Sequence, residues 1–328
     1  MVQVHVLALS LVLWLELLPG TVTGSLLPRQ AQVAHQSVSS QVSLDLSSDV
    51  QRVVIISAIP DELQHLLSAA RIERTVEIAG RNHHVGYLEG HPVVLMLAGV
   101  SMVNAAASTQ AVIDHFDIGA VVVSGIAGGV SPELAIGDVL VPTQWGQYQE
   151  MVFARQTADG WDADGRAGRF ENFGMMFPRG QLVVQEEGGA QEQRRQFWFS
   201  VDEDMLAVAR EIASQVQLAR CLPNGECLEN PPSVVVGGNG VSGPTFVDNA
   251  EFREWTWRTF SAGAVDMETA AIGQVATSNS VPFLGFRSLS DLAGGNNGGN
   301  RIRVFSHLAA DNSAAVLLEF LRAWSGPN

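Results

Sequence analysis

The chain has 328 residues, of which 46% are hydrophobic and 16% charged, and its formal net charge is −15. That length suits one large α/β domain or two small ones, and so large an acidic surplus argues against nucleic acid or an anionic membrane as a partner. Only two cysteines occur, Cys221 and Cys227, with no histidine near them, too few ligands for a zinc site. Residues 1–24 read as a secretory signal. Positions 6–18 are apolar apart from Ser10 and Glu16, shorter than the roughly 20 residues of a membrane helix. Pro19-Gly20 ends the run, and Val22-Thr23-Gly24 offers small residues for cleavage. The protein is therefore expected in the secretory pathway, extracellular or vacuolar, with no membrane contact once the signal is removed. Residues 25–49 are polar and Gln/Ser-rich, a flexible lead-in. Residues 50–328 contain no linker and no internal repeat and read as one domain.

Within that domain strands and helices alternate. Val53-Val54-Ile55-Ile56-Ser57-Ala58 is a continuous apolar run, as in a strand buried on both faces. A helix over 61–70 follows, with Pro60 at its start. Further strands are expected over 93–98, 120–125, 138–142, 234–238 and 281–286. Helices are expected over 102–116 and 205–216, from Met267 onward, and over 309–324. Repeated strand-then-helix units imply a central parallel or mixed sheet covered by helices. Cys221 and Cys227 flank Leu222-Pro223-Asn224-Gly225-Glu226, a turn-like stretch, and behind a secretory signal a small disulfide loop is the natural reading.

Three segments carry candidate chemistry. Gly125-Ile126-Ala127-Gly128-Gly129 reads as a loop after a buried strand, where glycines let the backbone approach a ligand; ordinary turn glycines explain it equally well. Val265-Asp266-Met267-Glu268 places two acids at a helix start, where they could face a ligand crevice or simply complement the helix dipole. Arg287-Ser288-Leu289-Ser290-Asp291 puts an Asp beyond an apolar strand, where it could pass a proton or cap the strand end.

Taken together with Ile136-Gly137-Asp138-Val139 and Ser242-Gly243-Pro244-Thr245-Phe246-Val247-Asp248-Asn249, these segments resemble the nucleoside phosphorylase family. The likeness is to its methylthioadenosine/S-adenosylhomocysteine nucleosidase branch, and closer still to plant bark and vegetative storage proteins. The resemblance implies an α/β fold, a three-layer αβα sandwich around a mixed central sheet, and cleavage of a purine nucleoside. It makes Asp291 the acid that protonates the leaving base, with Ser290 orienting it, and Glu268 the group that binds the ribose hydroxyls, since an ionised carboxylate accepts two hydrogen bonds strongly. Met267 would pack under the sugar, and Phe246 would stack on the base, although an aromatic there is by default core. Val247 would offer backbone groups to the base edge, and Gly125 and Ile126 would line the site. Glu62 matches the acid that activates water in the nucleosidases; its bland alternative is a solvated helix residue. No cofactor or metal is implied, the partner is a small nucleoside, and a homo-oligomer, dimer or trimer, is expected.

Two departures bear on mechanism. Phosphorolytic members of the family hold phosphate with arginines after the first strand and before the glycine segment, but here Ile59-Pro60-Asp61-Glu62 and Val121-Val122-Val123 stand there. A phosphate buried without a cation is costly, so water is the expected nucleophile and a phosphorylase proper the lesser reading. Ile126 replaces a residue that often carries a hydroxyl, which leaves open a nitrogen-storage protein that kept the fold and lost most of its activity. Asp266 stands for a Glu common in the nucleosidases.

Overall fold

The computed structural model describes residues 50–187, 190–295 and 298–327; the signal and the lead-in fall outside them. In chain order the elements begin with β1 (Arg52–Ser57), α1 (Pro60–Ala69), β2 (Arg71–Ile78), β3 (Arg81–Leu88), β4 (His91–Leu97), α2 (Met102–His115) and β5 (Ile118–Gly129). Then come β6 (Val139–Val141), β7 (Gln144–Gln147) and three two-stranded ribbons: β8 (Met151–Phe153) with β11 (Met176–Pro178), β9 (Arg155–Thr157) with β10 (Gly160–Asp162), and β12 (Gln181–Glu187) with β13 (Ala190–Gln196). The rest are β14 (Trp198–Ser200), α3 (Glu203–Ile212), β15 (Val234–Val236), β16 (Asn239–Ser242), α4 (Ala250–Phe260), β17 (Ala262–Asp266), α5 (Thr269–Ser278), β18 (Phe283–Asp291) and α6 (Ile302–Ala323).

Twelve strands form one mixed sheet in the order β14-β7-β16-β17-β5-β1-β4-β3-β2, with β18 paired to β5 and β6, and β15 to β6. β5 is its axis. It runs parallel to β1 and β18, and its last two residues, Gly128 and Gly129, pair antiparallel with Val265 and Ala264 of β17. Every residue of β1 and β18 is buried, which requires cover on both faces of the sheet. One helical group is α1 and α3 packed on α6; the other is α2 packed on α5. The α/β expectation and its mixed central sheet are therefore met.

Several local expectations need correction. Residues 125–129 are not a loop but the continuation of β5. A side chain at Gly125 would collide with Arg287 and Glu62, so glycine there serves close packing rather than a turn. β18 runs to Asp291 rather than ending near residue 286. α3 stops at Ile212, and α6 begins at Ile302, about two turns before the expected start. The helix after Met267 begins at Thr269, with Asp266 ending β17 and Glu268 at the helix cap.

Of the β2–β3–β4 meander, β4 matches the strand expected over 93–98, whereas β2 and β3 escaped the sequence reading. The inward-facing positions of these two strands are not uniformly apolar, since Arg74 of β2 and His83 of β3 stand among them. The meander's two tight turns do carry a signal: Ala79-Gly80 and Glu89-Gly90 all have positive φ, the geometry that two-residue hairpins need. α4 was missed because Trp255, Thr256, Trp257 and Thr259 are indifferent helix formers. It is fixed instead by Asn249, whose side chain accepts the Phe252 N–H at 2.8 Å, and by packing of Trp255 and Phe260 against Tyr148, Phe197 and Val247 in a second core.

Cys221 and Cys227 form a disulfide. The loop between them closes on itself: Leu222 N–H donates to the Glu226 carbonyl at 2.8 Å, and Gly225 takes the positive φ the turn requires.

Candidate active site

The carboxyl ends of parallel strands leave main-chain groups unpaired and side chains free to converge, the usual place for a ligand in an open α/β sheet. Here β1, β5 and β18 end around a cleft of about 220 Å³, lined among others by Glu62, Ile126, Gly128, Phe246, Met267, Glu268, Ser290 and Asp291. A small recess beside it adds Thr245 and Val247. Residues spread over more than 200 positions of sequence thus meet in one place. Of those expected in the site, only Gly125 stays off the cleft surface, behind it, against the Glu62 and Arg287 side chains. Phe246 is 52% exposed at the rim, so the core reading does not hold for it.

Glu62 is buried, not solvated. Its Oε2 accepts the N–H groups of Ala58 at 2.7 Å and Ile59 at 3.1 Å, and its Oε1 accepts the Ile126 N–H at 2.9 Å. Burial raises its pKa above the ordinary carboxylate value, against the opposing pull of Arg287 and these three N–H groups. Ile126 contributes through its backbone: its carbonyl accepts from Arg287 Nη1 at 3.2 Å, while its side chain lines the cleft.

The residue the sequence reading passed over is Arg287, although it sits inside a quoted motif. It is almost wholly buried and is surrounded by three carboxylates: Asp266 at 2.8 Å, Glu268 at 3.2 Å and Glu62 at 3.7 Å. Burial works against its charge, and Asp266, Glu268 and Glu62 outweigh it, so Arg287 remains a cation. The signal available beforehand was an arginine directly after the apolar run Phe283-Leu284-Gly285-Phe286, a place where it cannot be buried unpaired.

Asp266 is consumed by this arrangement. It accepts from Ser242 Oγ, Thr269 Oγ1 and Arg287, and the Thr269 hydroxyl in turn accepts from Arg287 Nε at 3.0 Å. The Asp at this position thus anchors Arg287 from below.

Glu268 differs. Both residues line the cleft, but Glu268 is held by fewer donors: its Oε1 accepts the Ser101 N–H at 2.8 Å and its Oε2 meets Arg287. Burial pushes its pKa up to about 7, with Arg287 opposing and Asp266 and Glu62 adding to the rise. One guanidinium cannot balance three buried carboxylates, and the cost shows in Glu62 and Glu268, whose pKa values are both raised. Ser101 holds its donor in place with a φ of 85°, an unusual backbone state for a non-glycine residue.

Asp291 ends β18. Its Oδ2 lies 3.0 Å from Ser290 Oγ, and its Oδ1 accepts the Ala293 N–H at 2.8 Å. Burial raises its pKa, while the N–H of Ala293 and the side chains of Ser290 and Asn300 oppose the rise. A carboxyl group so placed can hold a proton closer to neutrality than an exposed aspartate. Among the described residues, no lysine, arginine or histidine lines the cleft.

The phosphorylase superfamily pattern matches residues 52–322 of this chain. A 5'-methylthioadenosine/S-adenosylhomocysteine nucleosidase of Listeria monocytogenes is 30% identical over 270 residues, covering 82% of this chain and 97% of that protein. Bark storage protein B of Populus deltoides is 25% identical over 270 residues, covering 78% and 81%. The expected closer likeness to storage proteins is thus not borne out. A nucleosidase of the same name from S. pneumoniae, solved with a transition-state inhibitor, superposes with a TM-score of 0.60 at 26% identity, covering 83% of this chain and 99% of that one. With a matched region spanning nearly all of the described residues, the chain belongs to the phosphorylase superfamily.

Proposed function

We propose that this protein hydrolyses the N-glycosidic bond of a purine nucleoside, an adenine nucleoside in the first instance, within the secretory pathway. The observation that carries the reading is the convergence of Asp291, Glu268 and Glu62 on one cleft, with Arg287 behind it already held by carboxylates. In the transition state the glycosidic bond lengthens, positive charge builds on the sugar, and negative charge builds on the base. Asp291 gives its proton to the base and relieves the second charge. Glu268 accepts from the ribose hydroxyls and Met267 packs beneath the ring. Glu62 takes the proton from the attacking water, a role suited to a carboxylate whose burial has raised its basicity. Phe246 covers the base from the rim, and Val247, within the adjoining recess, offers main-chain groups to its edge.

The nucleosidase names of the relatives support the adenine nucleoside. The absence of a cation among the described cleft-lining residues favours water over phosphate, because a phosphate dianion there would meet carboxylates and no countercharge. The test is incubation with methylthioadenosine, S-adenosylhomocysteine, adenosine and inosine, with and without phosphate. Free base should appear at a rate independent of phosphate. A large acceleration by phosphate with sugar 1-phosphate as product would overturn hydrolysis. A second reading, a storage protein with little activity, is favoured by one observation: the Ile126 side chain presents hydrocarbon to the cleft next to Glu62, where a hydroxyl would help hold water. Absence of base release from all four nucleosides would decide for it.

A further inference from the structure

The two oxygens of Asp291 are not equivalent. Oδ1 is met by two N–H donors, the Ala293 backbone at 2.8 Å and the Asn300 side-chain amide at 3.2 Å. Oδ2 is met by the Ser290 hydroxyl at 3.0 Å, and Oγ also lies 3.3 Å from the Ala127 carbonyl. A hydroxyl rotates and can either donate or accept, whereas an amide N–H only donates. A proton on Oδ1 would point at one of two N–H groups. A proton on Oδ2 can be accommodated by turning the Ser290 hydroxyl toward the Ala127 carbonyl.

The Asn300 amide is itself held from three sides. Its Nδ2 also donates to Asp248 Oδ1 at 3.2 Å, and its Oδ1 accepts the Ile302 N–H at 2.9 Å. The reverse orientation would set its carbonyl against two carboxylate oxygens and its amide against an N–H, so the chemistry admits only the first. The neighbouring Arg301 fixes the segment: it pairs with Glu226 of the disulfide loop at 2.6 Å and lies over the Phe305 ring at 5.0 Å.

We propose that Asn300 is a positioning residue for Asp291, engaging Oδ1 so that the transferable proton resides on Oδ2, beside Ser290. Its part in catalysis rests on the nucleosidase reading; its hold on Asp291 does not. The charged groups around Asp291 are Asp248 beyond the shared amide and, lining the same cleft, the carboxylates of Asp266, Glu268 and Glu62, of which Asp266 is paired with Arg287. Arg253 of α4 turns its guanidinium to the Gly129 and Ser131 carbonyls. Asn300 is therefore the side chain that bridges two carboxylates and donates to both.

The experiment follows the Asp291 carboxyl by ¹³C NMR titration of the protein without substrate, with Asp291→Asn identifying its resonance. In Asn300→Ala the midpoint should rise by about one pH unit, since a donor to the ionised form is lost and the Asp248 charge is no longer shared. An unchanged or lowered midpoint overturns the proposal. In the unsubstituted protein the Asn300 side-chain NH₂ resonances should shift with the Asp291 midpoint, and this measurement decides the matter even if Asn300→Ala does not fold; resonances that ignore that midpoint overturn it. In base release, Asn300→Ala should lower kcat roughly tenfold with KM little changed, and the alkaline limb of kcat should move to higher pH. A protein that cleaves no nucleoside but shows the titration shift refutes the nucleosidase reading alone. Base release with no shift refutes the role of Asn300 alone.

Discussion

Asp291 and Glu268 are both buried carboxylates facing one cleft, yet their surroundings suit them to different work. Asp291 is held by neutral donors and can carry a proton; Glu268 is held by the Ser101 N–H and Arg287 and acts by accepting. Asp291 acts as charge develops on the leaving base, so Asp291→Asn should lower kcat by about 10²–10⁴-fold with little change in substrate affinity. Glu268 touches the ribose in ground and transition states alike, so Glu268→Gln should weaken nucleoside binding as well as turnover. Single-turnover rates and equilibrium binding of the two variants separate these outcomes. Negligible effects of both substitutions on binding and base release would speak for a storage protein.

Elements place those residues through features that a residue-by-residue reading undervalues. β5 carries its glycines straight through the centre of the sheet, so that Glu62 from α1 and Arg287 from β18 can touch across it. α6 begins beside the cleft and is tied by Arg301 to the loop closed by Cys221 and Cys227. That covalent ring is small, and closing a ring of so few residues removes little chain entropy, worth about 2 kcal/mol. The double variant Cys221→Ser with Cys227→Ser should therefore melt only a few degrees lower, at about 2–4 °C per kcal/mol for a domain of this size. A collapse of the fold in differential scanning calorimetry would show that the loop does far more than its length allows.

At the scale of the whole molecule, burial raises the pKa values of three carboxyl groups among the described residues, Glu62, Glu268 and Asp291, above the ordinary range. A raised carboxylate binds its proton more tightly in the folded than in the unfolded chain. Its stabilising contribution is present in full below the unfolded value and is lost as pH rises through the folded one. For Glu268 that window runs from 4.5 to about 7. The melting temperature should therefore fall as pH rises across it and level off above. The formal net charge of −15 adds self-repulsion in the same direction. Glu268→Gln separates the two causes: at constant ionic strength it should flatten the decline, and an equally steep decline in the variant would contradict the assignment to Glu268.

The sequence by itself determined the β-α alternation, the buried central strands, the cysteine loop and most of the cleft residues. Each is written in local pattern: continuous apolar runs, a turn between two cysteines, short motifs with polar groups at fixed places. Only the tertiary structure decided the rest. Glu62 is marked as the water-activating acid only by resemblance, since a helix start is usually exposed; its burial comes from contact with Ile126 of β5 and Arg287 of β18, more than sixty residues away in the chain. Arg287 disappeared inside an apolar strand, since nothing local says that three acids from distant segments will surround it. Asp266 resembled a ligand-facing acid until Ser242, Thr269 and Arg287 took up its oxygens. Asn300 carries no motif at all, and its hold on Asp291 exists because α6 starts beside the end of β18. Local pattern fixes which residues can be buried; which charges meet there is set by packing between segments remote in sequence, and only the folded chain brings those segments together.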